Sequence, residues 1–111
     1  MELPAAKRKR NCHCFHVDLE RSAAESYGIF VQYDPSELGL AVRAVRPDSA
    51  ADGWNQRCRL TFPDDQLHVG DIILRANGIG PNLSSPFPED VITDVLINAP
   101  HLFLVVKGFN W

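Results

Sequence analysis

The apolar run Ile72-Ile73-Leu74 is closed a few residues later by Asn77-Gly78, and this pairing most constrains what the chain can become. Asn and Gly are the two residue types that most readily take the positive φ angles of a tight reversal. A strand over Val69 to Asn77 must therefore turn back sharply at its end. Other segments carry the same strand signature. From Cys14 on, Phe15, Val17 and Leu19 alternate with His16, Asp18 and Glu20, the period of a strand with one face buried. Arg21 to Ser26 is small and polar and reads as a loop. Gly28 to Tyr33 is rich in β-branched and aromatic residues and reads as a second strand. Asp34-Pro35-Ser36-Glu37 supplies turn chemistry, and Gly39 to Val45 gives a third strand. Leu102 to Val106 is apolar throughout, which fits a buried final strand.

Two helices fill the remaining pattern. Ser49 followed by Asp52 resembles a capping box and predicts a short helix from near Ser49 through Trp54 to about Arg57. Trp54 is expected to anchor that helix in the core. Leu60 to Gln66, with Pro63-Asp64-Asp65, reads as a loop, as does the proline-rich stretch Gly80 to Pro88. Val91, Ile92, Val95 and Leu96 then fall on one helical face. Pro86 or Pro88 suits the first turn, where a missing N–H costs little, and Asn98-Ala99-Pro100 stops the helix. The expected fold is mainly β with two helices (α+β), a small, partly open barrel or sandwich.

Composition bounds the function. A length of 111 residues suits one domain, read here as residues 14–108, with a flexible basic lead-in over 1–13 and a tail at 109–111. The formal net charge of −3 argues against a nucleic-acid footprint, which would be basic. Three cysteines do not make a disulfide framework, and a reducing compartment is the simpler setting. The first ten residues lack the apolar stretch of a signal peptide, and no apolar run reaches the ~20 residues that cross a bilayer. A cytoplasmic monomer is expected; the run Lys7-Arg8-Lys9-Arg10 leaves a nuclear location open.

Catalytic and metal signatures are weak. Cys12, Cys14 and His16 share one strand face, but a tetrahedral site needs converging ligands, and only Cys58 and distant histidines remain. There is no Gly-x-Ser-x-Gly elbow, Cys-His signature or phosphate-binding glycine loop. Neither an enzyme, nor a metal, nor a cofactor is expected.

Three segments together resemble a PDZ domain: Ser26-Tyr27-Gly28-Ile29, then Val69-Gly70-Asp71-Ile72-Ile73-Leu74-Arg75-Ala76-Asn77-Gly78, then the helix and strand from Pro88 to Val106. The resemblance covers about residues 14–107. The stretch Asp52 to Gln66 is longer than in many animal members and looks more like PDZ-like domains of some unicellular eukaryotes. The resemblance implies a protein-protein interaction module that binds a partner's C-terminal peptide, or an extended internal one, as an added β-strand. Ser26, Tyr27, Gly28 and Ile29 would form the carboxylate-binding loop, with the amides of Tyr27, Gly28 and Ile29 as donors. The groove would be formed by Phe30, Val31, Gln32 and Tyr33 from the strand and by Glu89, Ile92, Thr93 and Leu96 from the helix. The pocket for the last ligand side chain, lined by Tyr27, Ile29, Val31 and Leu96 with Ile92, is apolar, so an apolar last residue is expected. Ser26, Tyr27 and Ile29 depart from the family's commonest loop, Gly-Leu-Gly-Phe. Glu89 (Asp90 if the helix starts one residue later) would face the ligand two residues before its end. There it would accept a hydroxyl or attract Lys or Arg. Two other readings stay open: a regulatory PDZ-like domain of a larger enzyme such as a protease, and a degenerate PDZ-like fold that binds no C-terminus.

Overall fold

The computed structural model describes residues 11–20 and 26–110. The expected basic run at 7–10, the loop at 21–25 and Trp111 lie outside the described residues. The elements are β1 (Asn11–Glu20), β2 (Ile29–Asp34), β3 (Gly39–Val45), α1 (Ala50–Thr61), a 3-10 turn (Pro63–Asp65), β4 (Ile72–Ala76), α2 (Asp90–Asn98) and β5 (His101–Asn110). The strands form one antiparallel sheet in the order β1-β5-β4-β3-β2. The sheet does not close on itself, so β1 and β2 are its two edges.

The alternation in β1 decides which face becomes the core. Phe15, Val17 and Leu19 are buried while Cys14, His16, Asp18 and Glu20 are exposed. Their cross-strand partners on β5 are Val106, Leu104 and Leu102, which are also buried. Leu40, Val42 and Ile73 extend this face, and Ile92 and Leu96 of α2 and Ala51 of α1 cover it. Fully burying one such aliphatic side chain contributes about 1.5–3 kcal/mol, so the three inner pairs of β1 and β5 are a large share of what holds the sheet.

The sequence signals act where they were read. Asn77 and Gly78 both have positive φ, 51° and 80°, and Ala76 and Ile79 exchange both backbone hydrogen bonds across them. Ser49 caps α1 by accepting from the Asp52 N–H at 3.2 Å. The Asp52 carboxylate reaches back to the Asp48 N–H at 2.9 Å, one residue earlier than in a standard capping box.

Several boundaries differ. β1 and β5 run further than expected, because their ladder continues without a register shift to Asn11 and Asn110. The strand placed at Val69 begins at Ile72, since Val69 and Gly70 are a turn. α1 continues to Thr61 rather than ending near Arg57. Beyond it the expected loop is held by side chains of the helix itself. Trp54, half-buried against the core, donates from Nε1 to the Asp65 carbonyl at 2.8 Å. Asn55 accepts from the Leu67 N–H at 2.7 Å and donates to the Leu67 carbonyl at 2.8 Å. Leu67 is thereby seated in the core. Replacing Asn55 by Ala leaves both backbone groups of this buried residue unpaired. We expect a loss of about 2 kcal/mol, read as a lower urea midpoint with an unchanged slope.

Asp71 is a buried carboxylate. It accepts from the His68 N–H at 2.8 Å and from the Phe109 N–H, joining the turn before β4 to the end of β5. Burial pushes its pKa above the ordinary 3.8, against the pull of those two amides. The folded state therefore holds this proton more tightly than the unfolded chain. Stability from this group is greatest at low pH and falls as pH rises through 3.8 and the raised folded value. In Asp71→Asn that pH-dependent loss should vanish. Urea midpoints across the acid range should show the variant gaining on the parent as pH rises, then a constant gap.

Candidate functional site

α2 lies beside β2 without covering its free edge, and the segment before β2 closes one end of the gap. The resulting hollow has a volume of about 360 Å³. Its floor and walls come from Ser26, Tyr27 and Gly28 in the loop, Ile29, Phe30 and Val31 on β2, and Thr93, Leu96 and Ile97 on α2. Apart from Ser26 and Thr93, the side chains here are apolar or aromatic.

The loop is held from behind by two elements. The Tyr27 carbonyl accepts from the Ala51 N–H at 3.1 Å, and the Gly28 carbonyl accepts from the Arg46 N–H at 2.7 Å. Both loop carbonyls therefore point back toward the start of α1. The Tyr27 ring is buried, only 3% exposed, and its hydroxyl donates to the Ala99 carbonyl at the C-terminal end of α2. One residue thus ties the loop to both helices. Gly28 has φ of +79° and sits so close to the α1 cap that an added Cβ would lie 2.2 Å from the Ser49 Cβ.

The structure brings together Ser26, Tyr27, Gly28, Ile29, Phe30, Val31, Thr93 and Leu96 of the residues singled out from the sequence. Ile92 is a correction. It is 0% exposed and packs in the core, because Thr93 and Leu96 turn that side of the helix toward the hollow while Ile92 faces the sheet. Gln32 and Tyr33 also fall outside the hollow and line a separate shallow depression with Asp34, Pro35, Ala41 and Arg43. Glu89 is the residue before α2, half-buried and one turn from Thr93. It is not part of the hollow's lining. Ile97, 59% exposed, was missed; its place one turn after Thr93 was a legible signal. The Ser49 contact behind Gly28 was also missed, and no local pattern reveals it.

Ligating and nucleophilic side chains gather elsewhere only weakly. Among the described residues no group of three His, Cys, Asp or Glu side chains is placed to hold a metal ion. Cys12 and Cys14 are exposed on β1 and Cys58 is buried. Burial pushes the Cys58 thiol up, which keeps it protonated and inert.

No family profile matches the chain, and no curated protein sequence does. Solved structures match over most of its length. The second PDZ domain of Dlg1 from the choanoflagellate Monosiga brevicollis superimposes with a TM-score of 0.59 at 22% identity, over 85% of this chain and 97% of that one. The N-terminal PDZ domain of InaD, solved in complex with a NorpA C-terminal peptide, gives a TM-score of 0.61 at 22% identity, over 89% of this chain and all of that one. The chain has the PDZ fold. Its hollow is bounded by the free edge of β2 and by α2 in that fold.

The loop geometry makes a direct prediction. Gly28→Ala places a Cβ at positive φ, costing about 1–2 kcal/mol for the left-handed backbone, and overlaps Ser49. We expect a total loss above about 2 kcal/mol. Combining it with Ser49→Gly removes the overlap with the Ser49 side chain while leaving the backbone cost, so chemical denaturation should show part of the loss recovered. A cost for Gly28→Ala within the ±0.5 kcal/mol of ordinary surface changes would show that the loop is not held from behind.

Proposed function

We propose that this chain is a non-enzymatic adaptor module that captures the free C-terminal peptide of a partner protein as an added strand on β2. The observation that carries this reading is the Gly28 amide. Gly28 is buried, its carbonyl is bonded to Arg46, and its N–H has no hydrogen-bond partner among the described residues. Buried backbone N–H groups are nearly always paired. With no acceptor among the described residues and its loop lining an open hollow, this N–H is placed to donate to an acceptor that a ligand brings. A terminal carboxylate supplies two oxygens there, with the Tyr27 and Ile29 amides as further donors.

The rest of the groove fits an extended peptide. β2 offers an edge, and strand addition turns that edge's unpaired groups into ladder hydrogen bonds. Ile29, Val31, Leu96 and Ile97 give the last ligand side chain apolar surroundings, so Val, Leu, Ile or Phe is the expected terminal residue. α2 begins at Asp90 with Glu89 as its N-cap. Glu89, one turn before the lining residue Thr93, would face the ligand two positions earlier, with Asp90 as the alternative, and either carboxylate favours a hydroxyl, Lys or Arg over an acid. The module works as a monomer in the cytoplasm or nucleus; Cys12 and Cys14, exposed and in no disulfide, suit a reducing compartment.

Titrating free-acid peptides ending in Val against their amidated forms tests this. Removing the carboxylate charge should weaken binding at least about tenfold. Lys two residues before the end should be preferred over Glu, and Glu89→Gln should erase that preference. Equal binding of acid and amide sinks carboxylate capture and favours the degenerate fold. A preference for acidic residues facing Glu89 sinks that assignment alone.

A further inference from the structure

The groove has a second side. Strand residues alternate between faces, and on β2 Ile29 and Val31 pack toward the core while Phe30 between them is 55% exposed. Phe30 borders the hollow, but strand alternation puts its side chain on the outer face of the sheet. The next outward residue, Gln32, is exposed as well. Between them the ladder to β3 slips: Phe30 pairs with Ala44 and Val31 with Val42, so Arg43 is the extra residue of a bulge. Bulges re-aim a side chain. Arg43 is exposed and lines the shallow depression that Gln32 and Ala41 share on this outer face. Among the described residues its guanidinium makes no ion pair and no hydrogen bond. The neighbouring Asp34 carboxylate is already engaged by the Ser36 hydroxyl at 2.6 Å and by the amides of Ser36 and Glu37. Its pKa is held low, chiefly by the Ser36 hydroxyl.

We infer that this outer face selects the partner: a C-terminal peptide with a large apolar or aromatic next-to-last residue and a carboxylate three residues before the last. The inference rests on the strand-addition reading above. If the last residue lies beside Ile29 in an antiparallel added strand, the earlier ones fall opposite Phe30, Val31 and Gln32 in turn. The last residue and the one opposite Val31 point into the groove. The next-to-last lands beside Phe30 on the outer face, and the third before the last lands beside Gln32 and Arg43. Residues opposite one another on one face of an antiparallel pair are in direct contact. The Phe30 ring then gives a wide apolar shelf, and Arg43 brings an unpaired guanidinium within reach of a carboxylate.

Four free-acid hexapeptides ending in Val and sharing every other position separate the two contacts: Phe or Ala next to last, combined with Asp or Asn three before the last. Against the parent protein, Phe should bind about fivefold more tightly than Ala, and Asp about threefold more tightly than Asn at low salt. Phe30→Ala should abolish only the first preference and Arg43→Gln only the second. Both residues are exposed, so neither change threatens the fold, and the peptide substitutions alone still decide the matter. Equal binding of all four peptides, with amidation still weakening binding, overturns the outer-face inference and leaves carboxylate capture standing. Binding of none of them removes both. A preference unaffected by Phe30→Ala and Arg43→Gln assigns it to other residues and overturns the inference.

Discussion

The groove depends on how the carbonyls of Tyr27 and Gly28 are occupied. Each accepts a backbone hydrogen bond from behind, one from the first turn of α1 and one from Arg46 at the end of β3. A peptide unit carries its N–H and C=O on opposite sides, so committing the carbonyls backward frees amides on the other side. The positive φ of Gly28 is what lets consecutive units do this. The α1 cap stands in direct contact with that glycine. The same Ser49 therefore caps the helix and limits the loop, and the Tyr27 hydroxyl sets the distance from the loop to the end of α2. These bonds lie outside the hollow, yet they hold its shape before any ligand arrives. Preorganisation of this kind lowers the entropy a ligand must overcome.

The open edge is the other condition. An exposed strand edge is a hazard that proteins commonly shorten, charge or distort. β2 has six residues and its ladder with β3 is interrupted by a bulge, so it is short and locally twisted. α2 sits along it without sealing it. The edge is thus protected against another sheet but accessible to a single narrow strand. At the far end of the sheet, β1 is longer and regular. It is joined to the 3-10 turn through His13, whose Nε2 lies 2.7 Å from the Asp64 carbonyl. The long segment after α1 is folded against that end of the sheet, with Trp54 and Asn55 fixing its path.

Much of the architecture was legible because it rests on local physics. Period-two alternation identified the inner face of β1, Asn77-Gly78 fixed the turn, and Ser49 marked the start of α1. Gly39 to Val45 was read with its observed bounds. What escaped was decided by tertiary contact. Ile92 and Leu96 share a helical face in the sequence and both are buried, but only Leu96 also borders the hollow, a difference set by how α2 packs on the sheet. The side-chain bonds of Asn55 to Leu67, twelve residues on, turn an apparent loop into an ordered segment. Ladder ends such as Asn11 and Asn110 extend because each strand supports the other, which neither strand's composition reveals. At the site, Gly28 marked a segment that lines the hollow, whereas the contact against the glycine comes from Ser49, 21 positions away, and left no local trace.

This division explains why the fold can persist at 22% identity to its structural neighbours. In the proposed binding mode, backbone groups do most of the work at the groove: amides at the loop and a ladder along β2. Such groups are common to every residue type, so Ser26, Tyr27 and Ile29 can stand in the loop as long as Gly28 keeps its backbone geometry. Tyr27 even adds an interaction, since its hydroxyl reaches α2. On the proposed reading the side chains are free to vary where they would meet a ligand's own, at Glu89 and Thr93 on the inner face and at Phe30 and Arg43 on the outer one. Affinity and selectivity would then be carried by different atoms. A chain of this kind can keep the first almost unchanged while its partner is set by a few exposed positions that the fold does not need.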